Sequence, residues 1–285
     1  MKSGTVALIG RPNVGKSTLV NNLIGQKVAI TSPKPQTTRF PIEALYEDDR
    51  GQIVFVDTPG IFNKAIDTLS KKINQQTIHG LGSEVDLVLY IVDPTRKRDF
   101  EEAKVLGIVR KIDKPKILVY NKEDEDRKYL PQYKFLESEF DTFFSISALK
   151  KNHLSLLLDK VFEMLPVRDK IVDAKEYVYP ALNMDSKTFL SELIREKVFL
   201  RLRRELPYTT TVVIEEIKER NDNLVYIQAK IITTDNKYKK MIIGLEGRQI
   251  KVIGSMARKE IEAATNKKVY LELTVDVNRH WMETF

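Results

Sequence analysis

Gly10-Arg11-Pro12-Asn13-Val14-Gly15-Lys16-Ser17 is the stretch on which the fold turns. It fits the spacing G-x-x-x-x-G-K-[ST], in which successive backbone N–H groups wrap phosphate oxygens. The glycines permit the tight turn, the lysine brings a cation to the terminal phosphates, and the hydroxyl offers a ligand to Mg²⁺. The flanks agree with this reading. An apolar strand candidate at residues 5–9 enters the loop, and a helix candidate at 16–24 leaves it with its positive dipole end toward the anion. Gly10, Asn13, Val14, Gly15, Lys16, Ser17 and Thr18 are therefore the candidate nucleotide contacts, and Lys16 is also a candidate catalytic cation.

Outward from the loop, short apolar runs alternate with helix-patterned stretches. Strand candidates lie at 42–47, 52–57, 86–93, 115–121 and 142–147, and helix candidates at 67–79, 99–112, 130–139 and 152–164. Near-continuous apolar, β-branched strands indicate a sheet covered by helices on both faces. The expected class is α/β, a mostly parallel doubly wound sheet, with an antiparallel hairpin where Glu47-Asp48-Asp49-Arg50-Gly51 reads as a turn. Leu165-Pro166 closes the last helix, which gives domain bounds of 1–166, a linker at 167–186 and a smaller α+β domain at 187–285.

The 285 residues suffice for two such domains, and with 42% hydrophobic and 31% charged residues the chain reads as globular. The absence of cysteine removes disulfides, thiolate metal sites and a cysteine nucleophile. No apolar run approaches the ~20 residues that cross a bilayer, and the opening MKSGTVALIG holds no cleavable signal. The expectation is a soluble cytoplasmic protein. His79, His153 and His280 have no metal-ligand spacing, and Trp281 reads as a packing residue. Of the net charge of +7, residues 181–285 supply +4, which permits a polyanionic partner.

Three later stretches extend the nucleotide site. Asp57-Thr58-Pro59-Gly60 follows an apolar strand, so that Asp57 can hold Mg²⁺ through a water and the Gly60 N–H can meet a γ-phosphate. Asn121-Lys122-Glu123-Asp124 follows another, and the Asp124 carboxylate suits the paired N–H donors of guanine, which adenine lacks. Ser147-Ala148-Leu149 can direct backbone N–H groups at guanine O6. In this order, over residues 5–165, the elements resemble the G motifs of the translation-factor class of GTPases. The resemblance implies GTP/GDP and Mg²⁺ as ligands. It also places a switch threonine in Gln36-Thr37-Thr38-Arg39, with Thr38 favoured as a metal ligand and catalytic contact and Thr37 the alternative. The metal set is then Ser17, Thr38 and Asp57, and the catalytic set Lys16, Thr38 and Gly60. Ile61 stands where Ras-type GTPases carry a water-orienting glutamine, which predicts slow intrinsic turnover. Asn13 resembles the asparagine of GTPases that use K⁺ as an additional cation.

The order helix, strand, strand, helix, Gly-x-x-Gly, helix, strand in residues 187–277 is that of a type II KH domain. A helix is expected at 187–205, strands at 209–217, 224–233 and 268–277, and a second helix at 248–264. Gly244 and Gly247 permit close approach of a nucleic-acid backbone, and Arg248, Lys251, Lys239 and Lys240 supply positive charge. Together, GRPNVGKST, QTTR, DTPG, NKED, REKVFLRLRRELPY and VYLELTVDVNRHW resemble the Era family of bacterial ribosome-assembly GTPases. That resemblance implies binding near the 3′ end of small-subunit 16S ribosomal RNA, maturation of the 30S particle, a monomer, and peripheral association with the inner face of the membrane. Leu245-Glu246 departs from the family, which commonly carries Lys-Gly or similar there. Two other readings compete: an RNA-binding module with a structural GTPase part, and a GTPase of transfer-RNA modification or 50S assembly.

Overall fold

Why the nucleotide motifs converge follows from the strand order. The computed structural model of the chain describes residues 1–29, 31, 42–58, 85–173, 186–221, 223–265 and 267–284. Of these, the residues up to 173 belong to one compact unit and those from 186 onward to a second.

In the first unit β1 (Lys2–Ile9), β2 (Ile42–Asp48), β3 (Gly51–Asp57), β4 (Leu87–Val92), β5 (Lys116–Tyr120) and β6 (Phe143–Ser145) form one sheet in the order β2-β3-β1-β4-β5-β6. All neighbours are parallel except β2 and β3, the expected hairpin. Strands β3 and β4 are buried along their whole length, which explains the unbroken apolar run of β4 and the apolar Ile53–Val56 within β3. Helices α1 (Lys16–Ile24), α2 (Phe100–Lys111) and α3 (Leu154–Met164) accompany the sheet. Asp99 caps α2 by accepting from the Glu102 N–H at 3.0 Å. Val105, Leu106 and Val109 of α2 then pack on Ala7, Ile9, Val88, Tyr90 and Leu118. After α3, residues 166–172 run back along the sheet. Pro166 O accepts from the Ser3 N–H at 3.1 Å, and Gln52 Oε1 accepts from the N–H groups of Ile171 and Val172, both at 2.9 Å.

The helix expected at 130–139 is a correction. Two short 3₁₀ turns, Leu130–Gln132 and Lys134–Ser138, stand there instead. Pro131 lacks an amide donor, and Tyr133 between the turns is drawn into the core with no exposure, so tertiary contacts override the helical period. The helix expected at 67–79 lies outside the described residues.

The second unit contains α4 (Ser186–Arg201), β7 (Thr210–Asn221), β8 (Leu224–Thr233), α5 (Asn236–Ile243), α6 (Arg248–Thr265), β9 (Lys268–Val277) and a last turn, α7 (Trp281–Thr284). The sheet order is β7-β8-β9, with the first pair antiparallel and the second parallel. Val225, Ile227, Ala229 and Ile231 alternate inward along β8 and meet Leu193, Ile194 and Val198 of α4 and Ile253, Ala257 and Ile261 of α6. Helix α4 ends at Arg201 rather than 205, because Arg204 takes φ 55° and Leu206–Thr209 winds as a 3₁₀ turn around Pro207. It also buries charge. Arg195 donates to both carboxylate oxygens of Glu192, from Nε at 2.7 Å and Nη2 at 2.5 Å, and Lys197 Nζ lies 3.0 Å from Glu260 of α6. Trp281 is buried and donates from Nε1 to Thr209 O at 3.1 Å, as a packing residue.

Candidate functional site

The phosphate loop leaves the carboxyl end of β1, Asp57 ends β3, and Asn121 and Ser147 follow β5 and β6, so four motifs meet at one edge of a parallel sheet. Asn121 joins three of them. Its Nδ2 donates to Val14 O at 2.7 Å, and its Oδ1 accepts from the Ala148 N–H at 2.9 Å. Gly15 is obligatory beside it: φ is +102°, and a Cβ would lie 2.2 Å from Asn121 Nδ2. Asn22 of α1 adds a donor to Ala148 O at 2.6 Å. The exposed Asp124 is held from behind, its Oδ1 accepting from Ser147 Oγ at 2.5 Å. Lys122, at φ 62°, reaches the buried Asp93 at 2.7 Å, whose other oxygen accepts from the Thr95 N–H. Ala148 is buried and Leu149 is exposed.

Lys16 and Asp57 carry the perturbed electrostatics. Lys16 Nζ donates to Gly10 O at 3.0 Å and Arg11 O at 3.1 Å, and burial lowers its pKa to about 8 against the pull of Asp57. Burial raises Asp57 to about 6, opposed by Lys16 and by Ser17 Oγ, which donates to Oδ2 at 2.5 Å. Asp57 Oδ1 is buried with no hydrogen-bond partner among the described residues. A buried carboxylate with an orphaned oxygen beside a hydroxyl is a set of hard oxygen donors, and it fits Mg²⁺. Thr37, Thr38, Gly60 and Ile61 lie outside the described residues.

Behind the loop is a network that the sequence does not announce, because Arg11 occupies a variable position of the motif. Its guanidinium is fully buried, with Nε 2.6 Å from Glu102 Oε2, Nη1 3.1 Å from Asp99 and Nη2 donating to Tyr133 OH at 2.8 Å. Tyr90 OH donates to the other Glu102 oxygen at 2.6 Å, and Arg96 Nη1 donates to Pro12 O at 2.9 Å. Burial works to lower the Arg11 pKa, but Glu102, Tyr133 and Asp99 outweigh it and hold the pKa above its ordinary value. Burial raises Glu102 and moves Tyr133 up to about 12. The phosphate loop is thus joined to α2 by a buried ion pair between Arg11 and Glu102.

In the second unit the G-x-x-G turn joins α5 to α6. Gly244 adopts φ +73°, and a Cβ there would meet Gln249 Cβ at 2.7 Å. Gly247 adopts φ +72° with open space around it. Lys240, Arg248 and Lys251 are exposed and Lys239 is half-buried. Met241, Leu245 and Val252 are exposed.

Comparison with known proteins agrees with this two-part layout. The profile of the 50S ribosome-binding GTPases matches residues 5–122, and that of the KH domain matches residues 205–282. GTPase Era of Halothermothrix orenii is 41% identical over 288 residues, covering 99% of this chain and 95% of the relative. Among solved structures, a single-residue variant of Aquifex aeolicus Era bound to GDP·AlF₄⁻ superposes with a TM-score of 0.90 at 34% identity, covering 99% of this chain and 96% of that one. Era in complex with MgGDPNP and nucleotides 1506–1542 of 16S ribosomal RNA does so with a TM-score of 0.91 at 34% identity, covering 99% and 95%. By identity and coverage along its whole length, the chain belongs to the Era family of GTPases.

Proposed function

We propose that this protein is a GTP-hydrolysing switch that binds small-subunit ribosomal RNA near its 3′ end and assists maturation of the 30S particle. The observation that carries the reading is the pairing of a preassembled guanine-nucleotide site with a KH unit, in a chain similar throughout to an Era bound to MgGDPNP and 16S RNA. Residues 1–166 would serve the nucleotide, 187–285 the RNA, and 167–186 the connection.

In this scheme backbone N–H groups from Gly10 to Thr18 take the phosphates, and the Lys16 ammonium exchanges its two carbonyl partners for phosphate oxygens. Ser17, Asp57 and Thr38 hold Mg²⁺, which supplies charge neutralisation on the phosphates. Asp124 selects guanine while Asn121 keeps the base loops in register with the phosphate loop, and Gly60 orders on the γ-phosphate. With Ile61 unable to bond water, turnover is slow until RNA or the pre-30S particle contributes. Single-turnover rates that do not respond to RNA or pre-30S particles would count against this. K⁺ near Asn13, which sits at φ 64°, provides a further cation, and equal rates in Na⁺ and K⁺ would remove it. The working form is a cytoplasmic monomer with peripheral contact to the inner membrane face. Light scattering and vesicle cosedimentation test those two points. Among the described residues no helix is long and apolar enough to cross a membrane.

The test of the function is crosslinking of the protein to RNA in cells with sequencing of the bound fragments. Reads should pile up at the 3′ end of 16S RNA. Reads scattered over transfer RNA or the large-subunit RNA would favour the competing GTPase readings.

A further inference from the structure

Between residues 236 and 259 the chain carries seven Lys and Arg and a single carboxylate, Glu246. That carboxylate stands inside the G-x-x-G turn, where a phosphate-binding loop has least use for it. Its backbone takes φ 53° and ψ 27°, a left-handed conformation that costs a non-glycine residue ~1 kcal/mol. Its side chain turns toward the helix and meets Arg248, the first residue of α6, with Oε2 accepting from Nη2 at 2.7 Å. Both side chains are largely exposed, 69% and 72%, so the pair is accessible to a competing anion. Between them, a Cβ added at Gly247 would meet no other described atom within 4 Å, its chain neighbours aside.

We infer that Glu246 is an internal anion that occupies the Arg248 phosphate subsite, so that RNA must displace it to bind at the turn. The inference rests on the RNA-binding reading above. The guanidinium is a bidentate donor suited to phosphate, and a carboxylate two residues away is its nearest substitute. An exposed pair of this kind is weak, so the competition lowers affinity by a small factor and does not abolish binding. It makes Glu246 a residue that tunes affinity at the turn, restraining Arg248 from acting on every single strand that approaches. Exchange of one anion for another also leaves one fewer net ion released when the strand docks.

The experiment is a double-mutant cycle on the full chain with a labelled transcript of nucleotides 1506–1542 of 16S RNA, titrated across a range of salt. Glu246→Gln should tighten binding ~2–5-fold and steepen the slope of log affinity against log salt by ~0.7, the increment for one single-strand phosphate. Arg248→Ala should weaken binding, and in that background Glu246→Gln should have little effect, because the subsite has gone. An equal gain in both backgrounds would show plain charge repulsion and overturn the inference, as would no gain in either. Binding that responds to Arg248→Ala but not to Glu246→Gln would overturn the inference and leave the RNA reading standing. Absence of binding by every variant and the parent would overturn both.

Discussion

Burial shifts the ionisation of both Lys16 and Asp57, one pKa down to about 8 and the other up to about 6. The sign of each shift matters. Asp57, raised, takes up a proton on folding, so its contribution to stability is lost as pH rises from about 4 through about 6. Lys16, lowered, gives one up, so stability recovers as pH rises from about 8 toward the ordinary lysine range. Ligand binding reverses both shifts, since a divalent cation favours ionised Asp57 and a polyphosphate favours protonated Lys16. Calorimetry of Mg·GTP binding in buffers of different ionisation heat should therefore show net proton release near pH 6 and net uptake near pH 8. No buffer dependence at either pH would contradict the assigned environments. These two positions were singled out by motif spacing alone, and the fold buries both at the carboxyl end of the sheet. Arg11, equally buried, was not, because spacing marks it as variable and only the fold shows Glu102, Asp99 and Tyr133 around it.

At the scale of elements, the phosphate loop is held from two sides, and each side has its own test. Gly15→Ala adds a methyl 2.2 Å from Asn121 Nδ2 at φ +102°, breaking the joint between the phosphate loop and the base loops. Where the free loop relaxes away from this strain of ~1–2 kcal/mol and GTP must restore it, affinity falls roughly 5–30-fold, measurable by fluorescent-nucleotide titration. Unchanged affinity would mean that the joint carries nothing. Glu102→Ala leaves the Arg11 guanidinium buried beside one exposed carboxylate, Asp99, and should lower unfolding free energy by ~3–5 kcal/mol in denaturant titration. A loss below ~1 kcal/mol would show that the cluster relaxes around water. Strands buried on both faces were readable from near-continuous apolar runs such as Ile53–Val56 and Leu87–Val92. The expected helix at 130–139 failed because Tyr133 is recruited by Arg11, a contact more than a hundred residues away in sequence. In helix α4 the ion pairs of buried Arg195 with Glu192 and of buried Lys197 with Glu260 were not readable from sequence, because the first reads as an ordinary surface charge pattern and the second has its partner on another helix.

For the whole molecule, identity and coverage across nearly every residue place both units in one family, while the nucleotide motifs alone fit several GTPase classes. The KH unit made the choice. Its element order was visible in alternating strands and a glycine pair, whereas the contact between Glu246 and Arg248 needed coordinates. In the proposed switch GTP and RNA are coupled through one chain, and coupling of this kind ordinarily amounts to ~5–150-fold in affinity. The most direct measurement is the affinity of the full chain for nucleotides 1506–1542 of 16S RNA with Mg·GDPNP, with GDP and without nucleotide. Binding should be at least ~5-fold tighter in the GDPNP state than in the GDP state. Equal affinity in all three states would contradict the switch and leave an RNA-binding module whose GTPase unit does not act on it.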